Sequence, residues 1–255
     1  RFNHRKKAVR ALVTGGSAGL GRALCDALLD DGFDVVSVDR EAPNQKTEAK
    51  HIACDLSDRM TVDKLLDKLE ADEAFDVVIF NAGISATGKF EDIEPEDHLR
   101  VFETNASAPM VLCAGLIKTG GIAEEGHIVF VASLSHFTGY PGASSYAASK
   151  DALAIYAKSI LKPLRNKHKI SVTTAFPGPL KTEHAARHAP SDADQERRMQ
   201  PEEAARLILA DMRKRKAKSL PGGTTALLAM AGQLAPKPLT FAMKQIIYKK
   251  LDRTV

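Results

Sequence analysis

With 255 residues, 44% apolar and 27% charged, the chain is long and mixed enough to bury one large core, which excludes a disordered chain or a disulfide-stapled miniprotein. Cys25, Cys54 and Cys113 lack CxxC spacing, so neither a disulfide framework nor a metal site is expected, and a reducing, cytoplasmic setting is the simpler reading. The net charge of +4 is concentrated late, in RKRKAK from Arg213 to Lys218 and in YKKLDR at the end, but without interleaved aromatic residues this reads as a solvated face and not a nucleic-acid surface.

The N-terminal RFNHRKKAVR is basic but runs straight into strand-like residues, unlike a signal peptide. Ala8 to Thr14 reads as a strand, Leu20 to Leu29 as a helix and Asp34 to Val38 as a second strand. A strand near His51, a helix over Thr61 to Leu69 and the apolar strand Phe75 to Phe80 come next, then helix and strand signals at His98 to Ile117 and His127 to Ala132. A long helix is expected from Ser144, a strand over Ile170 to Ala175 and a helix from Pro201, where Pro and two glutamates suit a helix beginning. Strands alternating with helices imply parallel crossovers. The expected fold class is therefore α/β: a three-layer, doubly wound, Rossmann-like parallel sheet in one domain over residues 1–255. The polar run 181–200 reads as a surface loop or short helical lid inserted between regular elements.

TGGSAGLG, Thr14 to Gly21, lies between the first strand and the first helix. Its glycines permit close approach of a ligand, and the helix that follows presents amides and positive dipole character to phosphate. The candidate contacts are Gly15, Ser17, Ala18, Gly19, Leu20 and Gly21. The turn is neither GxGxxG nor a loop ending in Gly-Lys-Ser/Thr, so the lysine of ATP hydrolysis is missing. Asp39 ends the second strand, where a carboxylate accepts hydrogen bonds from a ribose diol and repels a 2′-phosphate. With no Lys or Arg inside the turn, NAD is favoured over NADP, although Arg40 beside Asp39 is a cation that could pair with a phosphate. Asp55 and Leu56 in CDLSD, and Asn81, Ala82 and Gly83, follow the third and fourth strands on the side where parallel sheets bind ligands. Asp55 is placed to address an adenine and the Asn-Ala-Gly turn to pass beside a ribose; each also suits a cap or turn.

SYAASK, Ser145 to Lys150, sets a phenol and an ammonium one helical turn apart, so Lys150 is placed to lower the pKa of Tyr146. Ser133 follows the strand HIVFVA, and the intervening glycines and Pro141 allow its hydroxyl to converge with Tyr146 on one carbonyl oxygen. Tyr146 would then move a proton and Ser133 would polarise the oxygen. Asn105, in FETNASAP, would support Lys150 through water or fix a helix backbone. Ser135, Ser144, Ser145 and Ser149 are expected to shape turns or cap the helix. None of these serines stands in a GxSxG elbow, so the cluster is not read as a serine hydrolase.

Together these segments resemble the short-chain dehydrogenase/reductase family over about Ala8 to Thr182. The family's TGxxxGxG turn matches Thr14 to Gly21, its acidic specificity residue Asp39, and its Asn-Ala-Gly motif Asn81 to Gly83. Its catalytic Asn, Ser, Tyr and Lys fall in order on Asn105, Ser133, Tyr146 and Lys150. The resemblance implies direct hydride exchange between NAD(H) and a small-molecule alcohol or carbonyl substrate, with Tyr146 handling the proton and with Tyr146 and Lys150 also touching the cofactor. It implies that FPGPLKT lies beside the nicotinamide, with Pro177 and Gly178 in the turn and Thr182 on the carboxamide or pyrophosphate. It makes 181–200 the variable substrate lid, with Glu183, His184, Arg187 and His188 as candidates. It further implies a homodimer or homotetramer through the helices carrying Asn105 and Tyr146, where Ala147, Ala148, Ala152 and Ala154 offer a small surface.

The family's ending is not preserved. KSLPGG keeps a short strand and a glycine turn, and residues 224–255 form a divergent extension with two apolar patches. Ser219 to Pro236 carries no charge, yet its Pro, Gly, Thr and Gln content makes a poor bilayer helix. Packing over the substrate pocket or at a subunit interface is expected, with peripheral membrane contact as the alternative. Two other functions stand beside a secondary-alcohol oxidoreductase: a 3-oxoacyl-carrier reductase, and an NAD(H)-binding regulatory or scaffold protein that uses its basic tail.

Overall fold

The computed structural model describes residues 9–188, 196 and 198–246. The expectations for Ala8, for part of the 181–200 run and for residues 247–255 therefore lie outside the described residues.

Among the described residues, seven strands form one sheet: β1 (Arg10–Thr14), β2 (Asp34–Asp39), β3 (Lys50–Ala53), β4 (Phe75–Phe80), β5 (Ile122–Val131), β6 (Ser171–Ala175) and β7 (Lys218–Ser219). Their order is β3-β2-β1-β4-β5-β6-β7, and every pairing is parallel. Both faces are apolar because successive strand residues point to opposite sides and both sides are covered. Leu12, Val78, Phe80, Ile128 and Phe130 face one layer, while Ala11, Val13, Val77, Ile79 and Val129 face the other.

The first layer comprises α2 (Arg59–Glu70), α4 (Ala108–Thr119) and α6 (Ser144–His168), which bury Leu65, Leu112, Leu116 and Leu153. The second comprises α1 (Gly19–Asp30) and α8 (Pro201–Arg213), whose Leu24, Leu28, Ile208 and Leu209 meet beneath the sheet. Each of these fully buried leucines contributes roughly 2 kcal/mol of transfer free energy. The chain reverses winding direction between β1 and β4, which opens a crevice at the carboxyl ends of the strands.

Two segments differ from the sequence expectation. The helix signal at His98 to Ile117 begins earlier, as α3 (Pro95–Phe102), passes through a π-helical turn at Glu103–Ser107 and resumes as α4. Pro109 has no N–H to give to the Asn105 carbonyl four residues back, so the regular ladder breaks there. β5 starts five residues before His127, at Ile122, and the strand is irregular at Glu125, whose φ is 64°. The charged pair Glu124 and Glu125 hid that part of the strand from its apolar pattern.

The remaining pieces are α5 (Ser135–Thr138), α7 (Glu183–Arg187), α9 (Gly223–Leu234) and α10 (Pro236–Ile246). The short strand and glycine turn expected at Lys218 to Gly223 are found as β7 and the start of α9.

Candidate active site

The glycine turn is drawn tightly against the loop after β4. Asn81 donates from Nδ2 to the carbonyls of Thr14 (3.1 Å) and Gly15 (3.2 Å), while Thr14 Oγ1 accepts the amides of Asn81 and Ala82, both at 3.1 Å. Gly15 adopts φ +69°, and a Cβ there would stand 2.8 Å from the Ala82 Cα. At Gly21 a Cβ would stand 1.8 Å from the Gly15 carbonyl oxygen, so only glycine fits. Ala18 precedes α1 and no side chain caps that helix. The result is a bare backbone cradle in front of a helix N-terminus, which fits a pyrophosphate.

Asp39 closes one side of this cradle. Its Oδ2 accepts the Ser17 amide at 3.0 Å and its Oδ1 the Arg40 amide at 2.8 Å. Arg40 itself is exposed and paired with Glu41 at 3.2 Å. Asp55 accepts from both the amide (2.9 Å) and the hydroxyl (2.7 Å) of Ser57, and these bonds hold its carboxyl below the usual range, so it builds the turn that leads into α2. Leu56 beside it is buried.

The second half of the crevice carries the hydroxyls. Ser133 follows the end of β5, and Ser133 Oγ accepts the Ser135 amide at 3.2 Å. Burial raises the pKa of the Tyr146 phenol, and a hydrogen bond from Ser133, which favours the phenolate, opposes that rise. The expected acidification of Tyr146 by Lys150 is corrected here. Lys150 Nζ donates to the Val131 carbonyl at 2.9 Å, and burial lowers its own pKa to about 8. A Cβ on Gly83 would stand 2.9 Å from that Nζ, so the glycine leaves room for the ammonium beside the β4 loop.

Asn105 fixes backbone, but of a neighbouring loop and not of its own helix. Its Oδ1 accepts the Ile84 amide at 2.8 Å, and its Nδ2 donates to the Ile84 carbonyl (2.9 Å) and to Ser149 Oγ (3.0 Å). Ser149 Oγ in turn donates a hydrogen bond to the Tyr146 carbonyl at 2.8 Å. The serines do not cap α6 as expected: Ala143 occupies the cap without a side-chain bond, and the Ser145 hydroxyl is buried with no partner among the described residues.

After β6, the Pro177 carbonyl accepts the Leu134 amide at 3.0 Å, which locks this turn to the Ser133 loop. A Cβ on Gly178 would stand 2.9 Å from Thr225 Oγ1. Thr182 caps α7 by accepting the Ala185 amide at 3.1 Å, and its methyl would stand 3.2 Å from a Cβ on Gly19, across the mouth of the cradle. The candidate lid residues divide. His184 and His188 meet with ring centroids 4.6 Å apart and planes tilted by 54°, and His188 Nδ1 meets Thr87 Oγ1 at 3.1 Å. Burial is the main cause that lowers both histidine pKa values, His184 to about 4. Glu183 and Arg187 make no comparable inward contact in the described residues.

Sequence reasoning missed Tyr140, whose ring meets Tyr146 edge-on at 6.3 Å, and Arg198, which donates to the Ala185 carbonyl at 3.0 Å. It named Ser149 only as a turn or cap residue. Neither Tyr140 nor Arg198 has a motif spacing to betray it. A separate cavity of about 320 Å³ at the amino ends of β6 and β7, lined by Glu125, Lys169, Ser171 and Arg215, takes no part in this site.

The sequence model for short chain dehydrogenases matches residues 9–193. A short chain dehydrogenase of Pseudocercospora fijiensis is 29% identical over 243 residues, covering 89% of this chain and 77% of that protein. An NADP-dependent (R)-specific alcohol dehydrogenase of Lentilactobacillus kefiri is 31% identical over 194 residues, 70% of this chain and 75% of that one. The crystal structure of a short chain dehydrogenase family protein from Francisella tularensis superposes with a TM-score of 0.73 at 26% identity, covering 83% of this chain and 95% of the other.

Proposed function

The chain belongs to the short-chain dehydrogenase/reductase family and is an NAD(P)-dependent oxidoreductase; on that premise we propose that it interconverts a secondary alcohol and its ketone, with Tyr146 carrying the proton. The observation that carries this reading is the Ser133 hydroxyl acting on the Tyr146 phenol so as to favour the phenolate, with Lys150 buried one helical turn further along α6. In oxidation the phenolate takes the carbinol proton, and in reduction the phenol returns it. Ser133 holds the reacting oxygen and offsets part of the burial that disfavours the phenolate, and Lys150 would contact the bound cofactor. Asn105 positions Lys150's surroundings by pinning Ile84 and Ser149. A bound nicotinamide supplies or accepts the hydride. The glycine turn, Asp39, Asp55 with Leu56, Asn81 to Gly83, Pro177 with Gly178, and Thr182 are the residues that would hold it. Replacing Tyr146 by Phe is expected to lower turnover by roughly 10²–10⁴-fold while cofactor binding persists.

We further infer that the cofactor is NAD. Support comes from Asp39, whose carboxylate is anchored on the cradle, and from Arg40, whose guanidinium is paired with Glu41. NADH is expected to bind at least ~10-fold more tightly than NADPH, and Asp39→Ala to erase most of that ratio; fluorescence titration of both reduced cofactors reads it. NADPH binding as tightly as NADH would contradict it. A homo-oligomer through the outer faces of α4 and α6 belongs to the same proposal.

A further inference from the structure

We propose that α9 and α10 form an in-plane anchor for an anionic lipid surface. The amphipathic order of α9 is inverted. Its buried side is small, with Thr225, Ala229 and Gly232 turned inward, and a Cβ on Gly232 would stand 2.1 Å from the Phe137 carbonyl oxygen, so the helix lies flush on α5. Its outward side is large and apolar: Leu227 is 62% exposed, Met230 54% and Leu234 80%. A helix packed on a soluble core normally turns such residues the other way.

α10 continues the same surface. Thr240 Oγ1 donates to the Thr138 carbonyl at 3.1 Å, which sets the rotation of the helix. Phe241 is 64% exposed, and the exposed Lys237 and Lys244 stand one turn to either side of it. Lysines in that relation lay their stems along an apolar surface and carry the ammonium groups to headgroup level. No helix among the described residues is long and apolar enough to cross a membrane, so the arrangement suits lying in the interface.

Charge selects lipid over a second copy of the chain. From Ser219 to Ile246 the sequence contains no Asp or Glu. A two-fold contact uses the same patch on both subunits, so it would bring lysines towards lysines with no carboxylate of that segment to neutralise them. An anionic leaflet supplies the missing charge. This proposal does not depend on the reaction assigned above.

Co-sedimentation of the 255-residue chain with phosphatidylcholine vesicles and with phosphatidylcholine–phosphatidylglycerol vesicles tests it. The chain is expected to pellet with the anionic vesicles alone, and less as salt is added. Lys237→Gln with Lys244→Gln should lower partitioning by at least ~10-fold. Leu227→Ser, Leu234→Ser and Phe241→Ser together should abolish it with the melting temperature unchanged, since all three side chains face outward. Wild-type protein that stays in the supernatant with both vesicles, or a triple variant that binds like wild type, overturns the proposal. So does a lipid-indifferent oligomer that the triple variant turns into monomer, which would assign the face to a second copy.

Discussion

Lys150 carries a conflict inside one side chain. The residue is only 3% exposed and its ammonium donates to the Val131 carbonyl, and burial lowers its pKa from 10.5 to about 8. Holding the charge below that pH costs about 3 kcal/mol. Because the folded pKa is the lower one, the unfolded chain binds more protons between the two values, and stability rises as pH climbs from about 8 towards 10.5. Lys150→Met is therefore expected to stabilise the protein at neutral pH by about 1–3 kcal/mol, to abolish that alkaline rise and to remove turnover. Urea unfolding across neutral and alkaline pH, paired with an activity assay, checks all three. The four-residue spacing of Tyr146 and Lys150 was legible because helical periodicity is local. The Val131 partner was not, because it lies nineteen residues back at the end of another element.

At the scale of elements, the π-helical turn between α3 and α4 matters most to the site. It sets Asn105 where one side-chain amide satisfies both backbone groups of Ile84 and reaches Ser149 on α6. Asn105→Ala would leave the Ile84 amide and carbonyl without those partners, at an expected cost of about 2–4 kcal/mol, and chemical denaturation measures it. An unchanged midpoint would show that the loop finds other partners. The strand–helix alternation behind this framework was readable from apolar runs such as Phe75 to Phe80, found as β4 over the same residues. The early start of β5 and the π turn were not, since glutamates masked the first and the second arises from a missing donor at Pro109.

For the whole molecule, the sheet order places the glycine cradle and the hydroxyl pair on either side of the reversal between β1 and β4. The expected oligomer surface needs one correction. Ala154 is buried against Phe137 and Phe176 within the chain, so it cannot belong to a subunit interface, whereas Ala148 and Ile155 face outward on α6. Ile155→Arg is expected to shift sedimentation towards monomer, and an unaltered sedimentation coefficient would remove α6 from the interface. The divergent extension was legible as apolar and uncharged, but which of its faces points inward depended on Gly232 and Thr240 meeting α5.

The most direct measurement follows NAD(H) absorbance across a panel of secondary alcohols and ketones, with wild-type protein and Tyr146→Phe side by side and NADH binding monitored in both. Substrate-dependent absorbance change is expected in the wild type, with its loss in Tyr146→Phe and equal NADH binding in both. A Tyr146→Phe protein that turns over as fast as wild type would contradict this expectation.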